Sequence, residues 1–117
     1  MSAPLNSYLK TYRLRTGLTE EDVAFLIGGA NGAVVSRHEQ LGRQPELPTV
    51  LAYEAIYRAP VRDLFAGLYQ KVERETLERA RLLIEKLSAR RLDRLTAHKL
   101  AVLRSLVSGL AGLQPEG

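Results

Sequence analysis

Apolar residues recur along this chain at helical spacing, and no run alternates in the two-residue rhythm of a strand. A first helix is expected from Asn6, its cap, to about Thr16, with Tyr8, Leu9, Tyr12 and Arg13 facing inward and Gly17 ending it. Thr19-Glu20-Glu21-Asp22 has the composition of a capping box, with acids in the first turn where the helix dipole favours them. Val23, Phe25, Leu26 and Ile27 supply the apolar positions of the second helix, and Gly28-Gly29 stops it. Asn31 caps a third helix of about three turns, whose one clear buried apolar position is Val35 and which ends at Gly42. The loop Arg43-Gln44-Pro45 follows. A fourth helix is expected from about Leu47 to Arg58, with Pro48 tolerated in its first turn and Val50, Leu51, Ala55 and Ile56 as its stripe. Ala59-Pro60 breaks the pattern before a short fifth helix through Val61, Leu64 and Phe65.

Beyond Gly67 the rhythm becomes long, charged and amphipathic. Leu68, Val72, Thr76, Ala80, Leu83 and Leu87 follow one another at steps of four, four, four, three and four, nearer the helical period than a strict heptad. The stretch 88–95 is open between a turn and a continued helix. Thr96 is the expected cap of a final helix to about Ser108, with Leu100, Leu103, Leu106 and Val107 apolar. Gly109, Gly112 and Pro115 end that helix, and 110–117 is expected to be a disordered tail. The organisation is therefore all-α: a five-helix domain over 1–66, a helical oligomerisation or partner segment over 67–109, and the tail.

Composition narrows the function classes. The 117 residues suit one domain or a small domain with an appendage, and 45% hydrophobic with 26% charged residues is ordinary for a globular chain. Cysteine is absent, so disulfides and thiolate metal sites are excluded and a reducing cytoplasm is the expected compartment. No apolar run is long enough to span a bilayer, and Met-Ser-Ala-Pro-Leu-Asn is too short and polar for a signal peptide. The net charge of +4 is unevenly placed: residues 1–66 carry seven bases and seven acids, and residues 67–117 carry ten and six. A neutral N-terminal part argues against a sequence-indifferent coater of DNA.

No catalytic, metal or cofactor constellation emerges. His38 and His98 stand far apart with no ligand spacing around them, Glu20-Glu21 and Glu73/Glu75 hold capping or solvent positions, and Gly28-Gly29 lacks the lysine of a phosphate loop. No cofactor is expected.

Residues 9–66 resemble the Xre/Cro-type helix-turn-helix domain of phage repressors and bacterial regulators. The likeness is carried by Arg13-Leu-Arg-Thr-Gly-Leu-Thr-Glu-Glu-Asp-Val-Ala24, Val35-Ser-Arg-His-Glu39, Arg43-Gln-Pro45, Leu47-Pro-Thr-Val-Leu51 and Pro60-Val-Arg-Asp-Leu-Phe65. Two features depart from the family pattern. The Gly28-Gly29 turn is one residue longer, and Glu20 stands where a phosphate-touching glutamine is frequent.

The resemblance implies a lambda-repressor-like fold and sequence-specific binding of double-stranded DNA by a homodimer, with the third helix in the major groove. Arg37 is then the base-contact candidate, and Ala33 and Val34 are apolar contacts. Gly32 permits close approach, Asn31 and Ser36 reach phosphate, and Arg43 and Gln44 lie in the following loop. The same resemblance pairs Arg13 with Glu39 across the domain. Tyr53 and Tyr57 read as core or rim.

The C-terminal stripe of Leu68, Val72, Ala80, Leu83 and Leu87, with Leu103 and Leu106, is the expected dimer or partner surface. The cations Lys86, Arg90, Arg91, Arg94, Lys99 and Arg104 read as a solvated face, an added phosphate clamp or a site for an acidic partner. The alternatives to a DNA-binding regulator are an antitoxin-like protein using residues 67–109 on a protein partner, and an interaction module without DNA binding. Glu20, Gly32 and Ala33 are what such a module would carry.

Overall fold

Local chemistry sets most helix ends in this chain. The computed structural model describes residues 7–113, and their regular structure is helical throughout: α1 (Leu9–Thr16), α2 (Glu20–Leu26), α3 (Gly32–Glu39), α4 (Leu47–Tyr57), α5 (Val61–Leu64), α6 (Ala66–Ser88) and α7 (Arg94–Leu113). Gly17 takes a positive φ of 79° and closes α1. Thr19 accepts from the Asp22 N–H, and the Asp22 carboxylate accepts from the Thr19 N–H, completing the capping box of α2. Hydrogen bonding from the Thr19 N–H, and then from the Thr19 side chain, holds the Asp22 carboxyl below the usual carboxylate range. Gly28 turns left-handed after α2, with the N–H groups of Gly28 and Gly29 reaching back to Phe25 and Ala24, a Schellman closure. The expected cap at Asn6 lies outside the described residues.

The chain divides into two compact units between residues 69 and 70. In the first, Leu9, Val23, Val35, Tyr53 and Leu64 are fully buried, joined by Ala24, Tyr57, Ala59 and Phe65. Ser7 Oγ donates to the Glu39 carbonyl at 2.9 Å and the Tyr8 N–H donates to the Leu64 carbonyl at 2.8 Å, tying the start of α1 to the ends of α3 and α5.

Several inward positions differ from the sequence reading. Tyr8 sits at the N-cap of α1 with its ring exposed. In α2 the inward arc is Val23, Ala24 and Ile27, so at about 100° per residue Phe25 and Leu26 rotate outward. Phe25 is 85% exposed. In α4 the arc runs through Val50, Tyr53, Ile56 and Tyr57, leaving Leu51 and Ala55 outside. Gly42 does not take the left-handed turn after α3. Leu41 does, at φ 53°, with Leu41 and Gly42 N–H groups bonding back to His38 and Arg37. The Leu41 side chain packs against the core, which offsets the strain of that conformation.

The second unit is built from α6 beyond residue 69 and α7, joined by the short segment 89–93. The stretch 88–95 is thus broken by a turn over 89–93, with Ser88 ending α6 and Arg94 and Leu95 opening α7. Asp93 rather than Thr96 caps α7: its Oδ1 accepts from the Thr96 N–H at 2.7 Å, and this bonding lowers the Asp93 carboxyl below its ordinary range. Helix α7 also continues through Gly109 and Gly112 to Leu113, so residues 110–113 are helical, and 114–117 lie outside the described residues. On α6 beyond residue 69 the buried and half-buried apolar positions are Leu77, Ala80, Ile84 and Leu87, a three–four–three spacing, with Glu73 and Glu75 also half-buried. On α7 they are Thr96, Leu100, Leu103, Val107 and Leu110, again fours and threes. Among the described residues no helix is long and apolar enough to cross a membrane.

Candidate nucleic-acid interface

Helix α3 is short, and its two faces are sharply different. Val35, His38 and Glu39 are buried, whereas Ala33, Arg37 and Gln40 are exposed at i, i+4 and i+7, one outward line. Val34 and Ser36 are half-buried beside that line. The Arg37 side chain has no hydrogen-bond or ion-pair partner among the described residues. Arg43 and Gln44 are exposed in the loop after the helix, and Gln44 also lines a small cavity of about 130 Å³ with Pro45, Val50 and Val61.

The buried face fixes where the exposed one points. Arg13 Nε donates to Glu39 Oε2 at 2.6 Å and Nη2 donates to Oε1 at 3.3 Å, a two-pronged pair from α1 to the last turn of α3. Nη1 donates to the Leu18 carbonyl at 3.2 Å, so the guanidinium also holds the α1–α2 connection. The hydrogen bond to Glu39 raises the Arg13 pKa above its ordinary value. His38 Nδ1 shares a hydrogen bond with the Tyr53 hydroxyl at 2.8 Å, joining α3 to α4. Burial, and then the charge of Arg43, push the His38 pKa below its ordinary value. Burial also pushes the Tyr53 hydroxyl well up, and the Tyr57 hydroxyl up to about 12.

The N-terminus of α3 is already occupied. Asn31 Oδ1 accepts from the Ala33 N–H at 3.0 Å, and Glu21 Oε1 on α2 accepts from the Gly32 N–H at 2.8 Å. Gly32 itself is buried: a Cβ there would lie 2.9 Å from Glu21 Oε1 and 3.2 Å from Glu20 Cβ. Its missing side chain therefore serves the α2–α3 packing and faces protein. A carboxylate at this N-terminus also disfavours a phosphate there.

The expected dimer surface splits. Leu68 packs against the core of the first unit, and Ala80 and Leu87 are buried while Leu103 is half-buried. Val72, Leu83 and Leu106 remain exposed. The sequence reading missed three contributors: Glu21, the His38–Tyr53 bond, and Gln40 in line with Arg37. Only Gly32 hinted at the first, since a glycine directly after a cap signals close backbone approach. Among the described residues no group of His, Asp and Glu side chains is placed to hold a metal ion. Comparison with protein-family models, with curated proteins and with solved structures finds no significant match to this chain.

Proposed function

We propose that this protein is a sequence-specific DNA-binding transcriptional regulator that acts as a homodimer, with α2 and α3 forming a helix-turn-helix of the Xre/Cro type and α3 entering the major groove. The observation that carries the reading is the outward line Ala33–Arg37–Gln40 on a helix whose opposite face is clamped by Arg13–Glu39 and His38–Tyr53. An unpartnered guanidinium on a short, rigidly held helix suits guanine O6 and N7, and a glutamine one turn on suits adenine N6 and N7. Ala33 leaves room at the front and offers a methyl to thymine. Ser36, Arg43 and Gln44 are the phosphate-contact candidates, with Asn31 and Val34 at the margin of the face. The sealed N-terminus of α3 shifts the expected contacts toward its middle and C-terminal half. Selection from a random duplex pool tests the reading: one enriched site is expected, and Arg37→Ala should cost about 1–3 kcal/mol on that site. Absence of any enriched sequence would remove it.

A second reading is a protein-interaction module, antitoxin-like or otherwise, with weak or no DNA binding. It is favoured by Glu21 on the α3 N-terminus and by exposed Phe25 and Leu26, which line an open cleft with Leu18, Glu21 and Asp22. A chain that enriches no duplex yet purifies with a partner dependent on residues 67–109 or on Phe25 would decide for it.

A further inference from the structure

The charge of the second unit is concentrated at one end. Residues 70–85 carry four bases and four acids and are neutral overall. Residues 86–113 carry six bases, Lys86, Arg90, Arg91, Arg94, Lys99 and Arg104, against one acid, Asp93. All six bases are exposed. The acid is engaged, since its Oδ1 accepts from the Thr96 N–H at the start of α7. Asp93 also feels the charge of Lys99, so one cation is offset and five are not. The basic excess of the chain therefore gathers where α6 ends and α7 begins.

An apolar groove lies within this cationic end. Leu83 and Leu87 of α6 and His98, Lys99, Val102 and Leu103 of α7 line about 240 Å³ of open space. Leu87 is buried and Leu103 half-buried, while Leu83 and Val102 are 43% and 54% exposed, so the groove is open to solvent. No acid lines it. The nearest acid in sequence on α6, Glu85, is two residues from both Leu83 and Leu87, about 200° round the helix from each and so on its far side. Lysine carries its ammonium on a four-carbon stem, so Lys99 can line an apolar wall and keep its charge in water. A dry cavity of about 150 Å³ holds benzene, so this groove has room for a chain of about eight carbons. A neutral apolar ligand would leave the cations unused, and a bare phosphate would leave the groove unused. An amphiphilic anion matches both.

We infer that the α6–α7 groove is a binding site for a medium-chain carboxylate, with its alkyl chain against Leu83, Leu87, Val102 and Leu103 and its head group beside Lys99. The site lies wholly within the second unit and does not depend on DNA recognition by the first.

Isothermal titration of the full chain with sodium octanoate, kept below the concentration at which it forms micelles, tests the site. Saturable uptake of one octanoate per chain is expected. Octylammonium, with the same chain and the opposite charge, should bind far more weakly. Lys99→Gln should weaken octanoate about two- to fivefold, the worth of an exposed ion pair, and leave octan-1-ol unchanged. Val102→Glu should abolish octanoate uptake, because it sets a carboxylate in the groove. Val102→Lys, at the same exposed position, should retain uptake, and helical circular dichroism should be the same in both variants. Phe25→Ser, in the first unit, should leave uptake unchanged. Equal affinity for octanoate and octylammonium would overturn the proposal, as would uptake lost in Phe25→Ser and kept in Val102→Glu. No uptake by the wild type would overturn it too. If that chain instead binds phosphatidylserine–phosphatidylcholine vesicles, the occupant is a bilayer surface and not a single amphiphile.

Discussion

At the scale of single residues, the two stacked tyrosines of α4 have opposite prospects. Tyr53 and Tyr57 lie with ring centroids 6.1 Å apart and nearly parallel planes. The Tyr53 hydroxyl is bonded to His38, while the buried Tyr57 hydroxyl has no hydrogen-bond partner among the described residues. An unpaired buried hydroxyl costs its desolvation without return. Tyr57→Phe should therefore leave stability unchanged or raise it by about 1 kcal/mol, whereas Tyr53→Phe should lower it by about 1–3 kcal/mol by stranding His38 Nδ1. Urea unfolding of both variants checks this, and a clear loss in Tyr57→Phe would mean that its hydroxyl is bonded. The Arg13–Glu39 pair follows a related logic. Glu39→Ala should cost about 3–5 kcal/mol, because it leaves a buried guanidinium alone. Arg13→Met with Glu39→Leu should cost far less than the two single losses combined. Additive losses in that cycle would show that the two residues act apart.

At the scale of elements, the junction of α2 and α3 is a coupled device. Gly32, Glu21 and Glu20 occupy one crowded spot, so Gly32→Ala should destabilise by about 1–3 kcal/mol through overpacking. Much of that loss should vanish in a Glu21→Ala background, where the nearest obstructing atom is gone. Thermal unfolding of the four chains measures the coupling, and equal effects of Gly32→Ala in both backgrounds would place the strain elsewhere. Helix existence was legible in the sequence wherever a cap or stop had local chemistry: Thr19 with Asp22, Asn31, Gly17, Gly28. Less legible were features set by tertiary contact. The rotation of α2 that turns Phe25 outward follows from which of its few turns meets α3, a fact no local pattern carries. Leu41 takes the left-handed turn because its side chain is held by the core, overriding the glycine beside it. The inner seam of α6 was missed because Val72, Thr76, Ala80 and Leu83 also fit a helical stripe. Burial instead selects Leu77, Ala80, Ile84 and Leu87, a choice the local pattern does not make. Of the candidate interface, Arg37 and its capped helix could be read from the sequence, but the carboxylate sealing the N-terminus could not. Glu21 is one of three consecutive acids with nothing local to single it out.

At the scale of the whole molecule, the two units differ in how they meet acid. His38 belongs to the first unit and has its pKa lowered from 6.5, chiefly by burial. A base whose folded pKa is lowered binds its proton more readily when unfolded. Its contribution is therefore present above pH 6.5 and is lost as pH falls from there toward the folded value. Asp22 and Asp93, lowered from 3.8, lose their contributions only in a more acidic range. The second unit carries His98 exposed on its groove and no buried histidine among its described residues. All five tyrosines, at 8, 12, 53, 57 and 69, fall in the first unit, and the chain has no tryptophan. Near-ultraviolet circular dichroism of tyrosine therefore reports the first unit, while the far-ultraviolet helical signal reports both. Between about pH 7 and about pH 5.5 the tyrosine transition should move to lower temperature, and the helical signal should contain a component that does not move with it. His38→Gln should flatten the tyrosine shift, since glutamine keeps a polar partner for Tyr53 and does not titrate. Coincident transitions that shift together would show that the two units unfold as one. An unchanged slope in His38→Gln would assign the acid sensitivity to another group.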